Sequence, residues 1–298
     1  MHVHHREADL ENHDRGLDHD LPRLLQRRGL LKLVAGAGLA GTGLLSLAAC
    51  ADQSTPAASA APSGSGAPPS GGPGAGPGGQ PTGTQASSDT ANGELPEETA
   101  GPYPGDGSNG ANVLTQSGIV RSNITTSFGS STTKAAGIPL TLTMTILDFA
   151  ADEKPLAGGA VYVWHCNQQG QYSLYSAGVT QENYLRGVQE TDSSGTVRFT
   201  TIFPACYSGR WPHIHFEVYP SLAKATNSAN KIATSQIALL EQTCKEAYAT
   251  AGYEQSVSNL GQVSLDRDNV FSDGYDLQLP KITGDPPKGY ALTFSCAI

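Results

Sequence analysis

The sequence predicts a mostly-β domain: an antiparallel β-sandwich with short helical segments and long loops. Two observations lead there. Short runs of alternating apolar and polar residues recur through the C-terminal two-thirds of the chain, and clusters of Gly, Asp, Asn and Pro separate them. Only residues 240–250 show a helical pattern. Short strands with such spacing favour two packed sheets over alternating helix and strand layers.

The strands follow in chain order. Residues 139–148 read P-L-T-L-T-M-T-I-L-D, setting Leu140, Leu142, Met144 and Ile146 against threonines. Residues 160–166 read A-V-Y-V-W-H-C, and 196–203 read T-V-R-F-T-T-I-F after the turn T-D-S-S-G. In 213–219 the side chains of His213, His215, Glu217 and Tyr219 share one face, while Ile214, Phe216 and Val218 share the other. Further strands are expected at K-I-A-T-S-Q-I-A (231–238), G-Y-D-L-Q-L-P (274–280) and G-Y-A-L-T-F-S (289–295).

These runs place a folded domain at 94–298, a comfortable size, about 200 residues, for one hydrophobic core. What precedes it differs in kind. Residues 1–49 hold a polar leader, the pair Arg27–Arg28, and a weakly apolar run ending in L-A-A-C at Cys50. The arginine pair resembles a twin-arginine export signal and the L-A-A-C a bacterial lipobox, so Cys50 is the expected lipidation site. A membrane-spanning helix is the competing reading of the apolar run. Residues 50–93 are Gly, Pro, Ser and Ala with almost no apolar bulk, the composition of a flexible tether. Together these predict an exported, extracytoplasmic protein, lipid-anchored to a bacterial membrane.

The net charge of −9 falls beyond residue 49, because the first 49 residues carry six basic and six acidic side chains. An acidic domain disfavours nucleic acid and electrostatic membrane binding and favours small ligands. Four cysteines remain after Cys50. Export predicts two disulfides, written here as Cys166–Cys206 and Cys244–Cys296, against the alternative of four buried thiols.

Of eight histidines, five precede residue 20, leaving His165, His213 and His215. His213-x-His215 puts two imidazoles on one strand face, with Tyr207 and Arg210 nearby in sequence. Alone, that pattern reads more often as surface histidines than as half of a metal site. His165 alternates with Val161 and Val163 and reads as a core-edge histidine with its own partners. Tyr172 follows a polar loop turned by Gly170 and reads as a tyrosine capping the core edge.

Five stretches in order give the chain a family resemblance. They are E-T-A-G-P-Y-P-G-D-G (98–107), V-W-H-C-N-Q-Q-G-Q-Y-S (163–173), Y-L-R-G-V-Q-E-T-D-S-S-G (184–195), P-A-C-Y-S-G-R-W-P-H-I-H-F (204–216) and A-T-S-Q (233–236). Over the domain from residue 94 the chain resembles the intradiol ring-cleavage dioxygenases, the family of catechol 1,2-dioxygenase and protocatechuate 3,4-dioxygenase. The resemblance implies a mononuclear, non-haem Fe(III) held by Tyr172, Tyr207, His213 and His215. It also implies cleavage of catecholic aromatics by O2 to cis,cis-muconate-type products, with catechol and O2 as the small-molecule partners. Tyr207 is then both ligand and base, Arg210 stabilises developing charge, and Gln236 sits at the edge of the substrate pocket. Phenolate is a hard anionic donor that a strongly acidic metal can ionise from a phenol of pKa near 10.

Two departures from the family are visible. The spacer between Tyr207 and His213 is short, which predicts a more open pocket with room for bulkier catechols. The long N-terminal helical region that builds the catechol 1,2-dioxygenase dimer is missing, so no oligomeric state carries over. Two rivals are a non-catalytic β-sandwich binding module, in which the tyrosines and histidines do not converge, and a metal-binding homologue without dioxygenase activity.

Overall fold

The computed structural model describes residues 93–298. The expected export signal, Cys50 and the expected tether up to residue 92 lie outside the described residues. Two sheets face each other. The outer sheet has β1 (Pro139–Asp148) at its centre. On one side β1 pairs with β9 (Gly289–Ala297), which pairs with β8 (Lys281–Asp285). On its other side lie β5 (Thr196–Ile202) and the two-residue β2 (Lys154–Pro155). The inner sheet runs β4 (Arg186–Glu190), β3 (Ala160–Trp164), β6 (His213–Tyr219), β7 (Ala233–Ala238).

The alternation read from the sequence explains the layering. Leu140, Leu142, Met144 and Ile146 of β1 meet Val161 and Val163 of β3 and Ile214, Phe216 and Val218 of β6 in the inter-sheet core. Val197 and Phe199 of β5 and Leu292, Phe294 and Cys296 of β9 complete it. The threonines of β1 turn the other way and stay partly exposed. Burying such side chains, at about 25 cal/mol per Å² of apolar surface, is the main force holding the sheets together.

The other face of the inner sheet is not a solvent face. All seven residues of β6 are buried. A second core forms there from Ala160, Tyr162, Trp164 and Tyr219 with Val113, Leu114, Ile119, Tyr172 and Ala205. The covering chain is N-terminal. Leu95 N–H donates to Ala297 O (2.8 Å) and Glu98 N–H to Thr234 O (2.7 Å), and the segment then crosses the inner sheet toward Tyr103 and Pro104.

Several expectations need correction. The sandwich is antiparallel except for β1 and β9, which run parallel. Residues 274–280 form no strand: Asp276–Gln278 is a 3-10 turn, and the strand begins at Lys281. The expected helix is α1 (Glu241–Tyr248), but a second, α2 (Glu254–Leu260), follows it. The four cysteines form no disulfide; each is a buried thiol. Apolar surroundings disfavour thiolate, and burial pushes Cys166, Cys206 and Cys296 up to about 12. Among the described residues no helix is long and apolar enough to cross a membrane.

Candidate metal centre

Strand register lines up the site. On the inner sheet Arg186 pairs with Trp164, Trp164 with His215, and His215 with Gln236, a row of four across β4, β3, β6 and β7. The indole of Trp164 stacks on His215 at 4.8 Å and 5° between planes, which fixes the imidazole's orientation. Tyr162 extends the stack at 4.9 Å.

Four donors converge at the head of β6. His213 Nε2 lies 3.0 Å from His215 Nε2, 3.3 Å from the Tyr207 hydroxyl and 3.4 Å from the Tyr172 hydroxyl. His213 Nδ1 faces the Trp211 carbonyl at 2.5 Å. A carbonyl oxygen only accepts, so Nδ1 carries the proton and Nε2 presents a lone pair to the other three donors. Donor separations near 3 Å suit ligands held about 2 Å from one small ion. Among the described residues no three His, Cys, Asp or Glu side chains cluster as a metal group; the convergent set here is two phenols and two imidazoles.

Burial sets the protonation. It depresses the His213 imidazole to about 3, with help from the Arg210 charge, and His215 falls well below its ordinary value for burial and for its neighbour His213. Both rings are neutral donors at pH 7. Burial raises Tyr172 and Tyr207, so without a cation both phenols keep their protons. This donor set fits a strongly acidic metal, which would ionise both phenols and leave two anionic oxygens and two neutral nitrogens around one charge.

Arg210 and Gln236 are brought to the same edge. Arg210 Nη2 donates to Gln236 Oε1 at 2.8 Å, and Gln236 Nε2 donates to Thr99 O at 2.8 Å. The amide thus joins the guanidinium to the N-terminal covering segment. His165 stands apart: Nδ1 meets Cys166 O at 2.8 Å and Nε2 meets Thr201 Oγ1 at 2.7 Å, the satisfied core-edge histidine expected.

Three contributors escape a reading of the sequence. Gly101 has φ +67°, and a Cβ there would lie 3.4 Å from His215 Cε1, so the covering chain passes directly over that ring. Arg186, buried, donates to Pro104 O, Tyr103 O and Ser173 O, each at 2.9 Å, tying the covering segment and the Tyr172 loop to β4. Asp268 bonds Arg210 Nε at 3.0 Å. Gly101 and Arg186 lie inside the quoted motifs without marking their roles, and nothing around Asp268 in sequence distinguishes it from its neighbours.

The comparisons with known proteins find dioxygenases. Residues 121–214 match a family model described as "Dioxygenase". The chain is 34% identical over 109 residues to catechol 1,2-dioxygenase 2 of Acinetobacter lwoffii and 30% identical over 102 residues to catechol 1,2-dioxygenase 1 of the same organism. The matches cover 30% and 28% of this chain, and 39% and 31% of those relatives, so the chain spans well under half of their length. Among solved structures, an intradiol ring-cleavage dioxygenase from Tetranychus urticae superposes with a TM-score of 0.54 at 27% identity, over 70% of this chain and 95% of that one.

Proposed function

We propose, from the premise that this chain belongs to the intradiol ring-cleavage dioxygenase family, that its domain cleaves catecholic aromatics with O2 to cis,cis-muconate-type products. Both atoms of O2 enter the product. The observation that carries the reading is the meeting of Tyr172, Tyr207 and His215 around the lone pair of His213 Nε2. These four would hold a mononuclear, non-haem Fe(III). When bound, ferric ion supplies the Lewis acidity that ionises the phenols and activates the catechol ring toward O2.

The chain's own groups then have definable tasks. Trp164 and the Trp211 carbonyl orient the imidazoles, and burial keeps both neutral. Burial favours the protonated form of Tyr207, which suits its oxygen to take a proton from a catechol hydroxyl. Tyr207 is the less enclosed of the two phenols, which suits it to the mobile role. Arg210 is a part-buried cation that pulls the Tyr207 pKa down, and it faces negative charge developing on the substrate; such a group contributes on the order of 3 kcal/mol. Gln236 holds it at the edge of the site.

The protein's placement is part of the same proposal: exported, outside the cytoplasm and anchored through lipid on Cys50. Arg27–Arg28 and the L-A-A-C at 47–50 support it. Cys50→Ala is expected to move the protein from the membrane to the soluble fraction; continued membrane attachment would refute the anchor.

The central experiment records the visible spectrum and iron content of the aerobically purified protein, before and after adding catechol without O2, and then O2 uptake. A tyrosinate-to-iron band that shifts with catechol, followed by O2 consumption, is expected. Protein that stays colourless and metal-free after iron reconstitution would leave a binding module as the better reading. Iron bound without O2 uptake would leave a metal-binding homologue.

A further inference from the structure

We propose that Asp268 is a positioning residue of this site, a single carboxylate that sets both the Arg210 guanidinium and the His213 imidazole. The proposal rests on the dioxygenase reading above for what those two groups do.

Asp268 follows the 3-10 turn Leu265–Arg267, and its N–H donates to Ser264 O at 3.0 Å. Its carboxylate is buried, and both oxygens are filled. Oδ2 accepts from Arg210 Nε at 3.0 Å and from the Trp211 N–H at 2.7 Å. Oδ1 accepts from Val270 N–H at 2.9 Å, and also from Arg210 Nε at 3.3 Å and Phe271 N–H at 3.4 Å. Burial would push such a carboxyl up, but the Arg210 charge and these hydrogen bonds outweigh it and hold the group below its ordinary value, ionised. An unpaired carboxylate would be very unfavourable at this depth; here it is matched to one cation and three backbone donors.

The bonds to Arg210 and Trp211 grip consecutive residues. The guanidinium, held through Nε by Asp268 and through Nη2 by Gln236, has two of its three nitrogens committed and little freedom to swing. Arg210 also lies with Cζ 6.0 Å from the Phe271 ring centroid, on the loop that Asp268 itself organises. One residue further, the Trp211 N–H is fixed by Asp268 and the Trp211 carbonyl receives the Nδ1 proton of His213. Asp268 therefore acts on a metal-binding imidazole through one residue and on the charge-stabilising cation directly. Outer partners of this kind commonly change activity by about 10–100-fold while making no contact with the reacting atoms.

The test compares the iron-loaded wild-type chain with Asp268→Asn. An amide in this place carries no charge and has only one accepting atom, so its NH2 must face either the Arg210 Nε–H and Trp211 N–H together or the Val270 and Phe271 N–H groups, donor against donor in both cases. The variant is expected to fold and to bind iron, with kcat for catechol reduced about 10–100-fold and KM little changed. The tyrosinate-to-iron band should also shift as His213 loses its anchor. Adding Arg210→Ala to Asp268→Asn should cost less than the product of the two single losses, because the groups act as one unit. Asp266→Asn, on the same turn but exposed, should behave as wild type.

Wild-type kcat and band position in Asp268→Asn would overturn the proposal, as would multiplicative losses in the double variant. If the wild-type protein binds iron but takes up no O2, the dioxygenase reading fails, and the band still decides the positioning role: a shift in Asp268→Asn supports it and an unmoved band overturns it. Should Asp268→Asn fail to fold, Asp268→Glu carries the test. Its longer carboxylate keeps the charge but displaces the guanidinium, so a lowered kcat with a shifted band is expected and wild-type values for both would overturn the proposal.

Discussion

The two faces of the inner sheet are both buried, yet they are built on different rules. Toward the outer sheet, Val161, Val163, Ile214, Phe216 and Val218 meet apolar partners, and shape and volume are nearly all that matters. Toward the covering segment, the inner sheet presents Arg186, Trp164, His215, Glu217 and Gln236, and Arg186, Glu217 and Gln236 each meet directed polar partners. Lys231 Nζ meets Glu217 Oε1 at 3.0 Å, and the Tyr219 hydroxyl donates to Glu217 Oε2 at 2.7 Å. One face tolerates exchange among similar side chains; the other is specified atom by atom. The difference teaches that stability and chemistry can occupy alternate residues of a single strand.

Substitutions on β6 can break this division of labour. The largest effect on activity is expected from His215→Ala, which removes a donor and the partner of Trp164. Iron content should collapse and O2 uptake fall by more than about 100-fold, while thermal stability changes modestly. The complementary change, Phe216→Ala, should cost about 3–5 kcal/mol in denaturant unfolding yet leave a coloured, active site at low temperature. If both variants lost iron and stability together, the faces would not be separable.

A smaller effect is expected at the covering segment. Gly101→Ala forces a side chain into left-handed backbone, at about 1–2 kcal/mol, and crowds His215. Activity should fall more than stability does, as measured by O2 uptake beside thermal unfolding. The smallest effect belongs to His165→Gln. That histidine serves the fold, so iron content should match wild type, with about 1 kcal/mol lost with its hydrogen bond to Thr201. Loss of iron from this variant would mean that the division between structural and site histidines is drawn in the wrong place.

Much of the sandwich was legible because period-two alternation is a local signal that β1, β5, β6 and β9 carry, while β3 reads as a short continuous apolar run. The second helix was not legible: E-Q-S-V-S-N-L has few apolar residues, and only Ser256, Asn259 and Leu260 of it are buried. Residues 274–280 alternate as a strand should, but tertiary packing bends them into a turn. The disulfides were inferred from compartment rather than from geometry, and the thiols lie in apolar surroundings instead. At the site, the ligand residues stood out through family motifs and the His-x-His spacing. Asp268 did not, because its role depends on a loop folding back over 57 residues to meet the Trp211 N–H. No local pattern encodes such an encounter.

The parallel pairing of β1 with β9 also sets an order of events in time. Leu140 lies opposite Tyr290, about 150 residues later, so the central strand of the outer sheet lacks one neighbour until nearly the whole chain is available. Contacts of that separation form slowly. A nascent chain released only as far as β7 would already carry His213, His215 and both tyrosines. It would still lack Asp268 and the last strand of the outer sheet. The donors are thus synthesised early and locked late, and a metal acquired at equilibrium would be acquired by the finished protein.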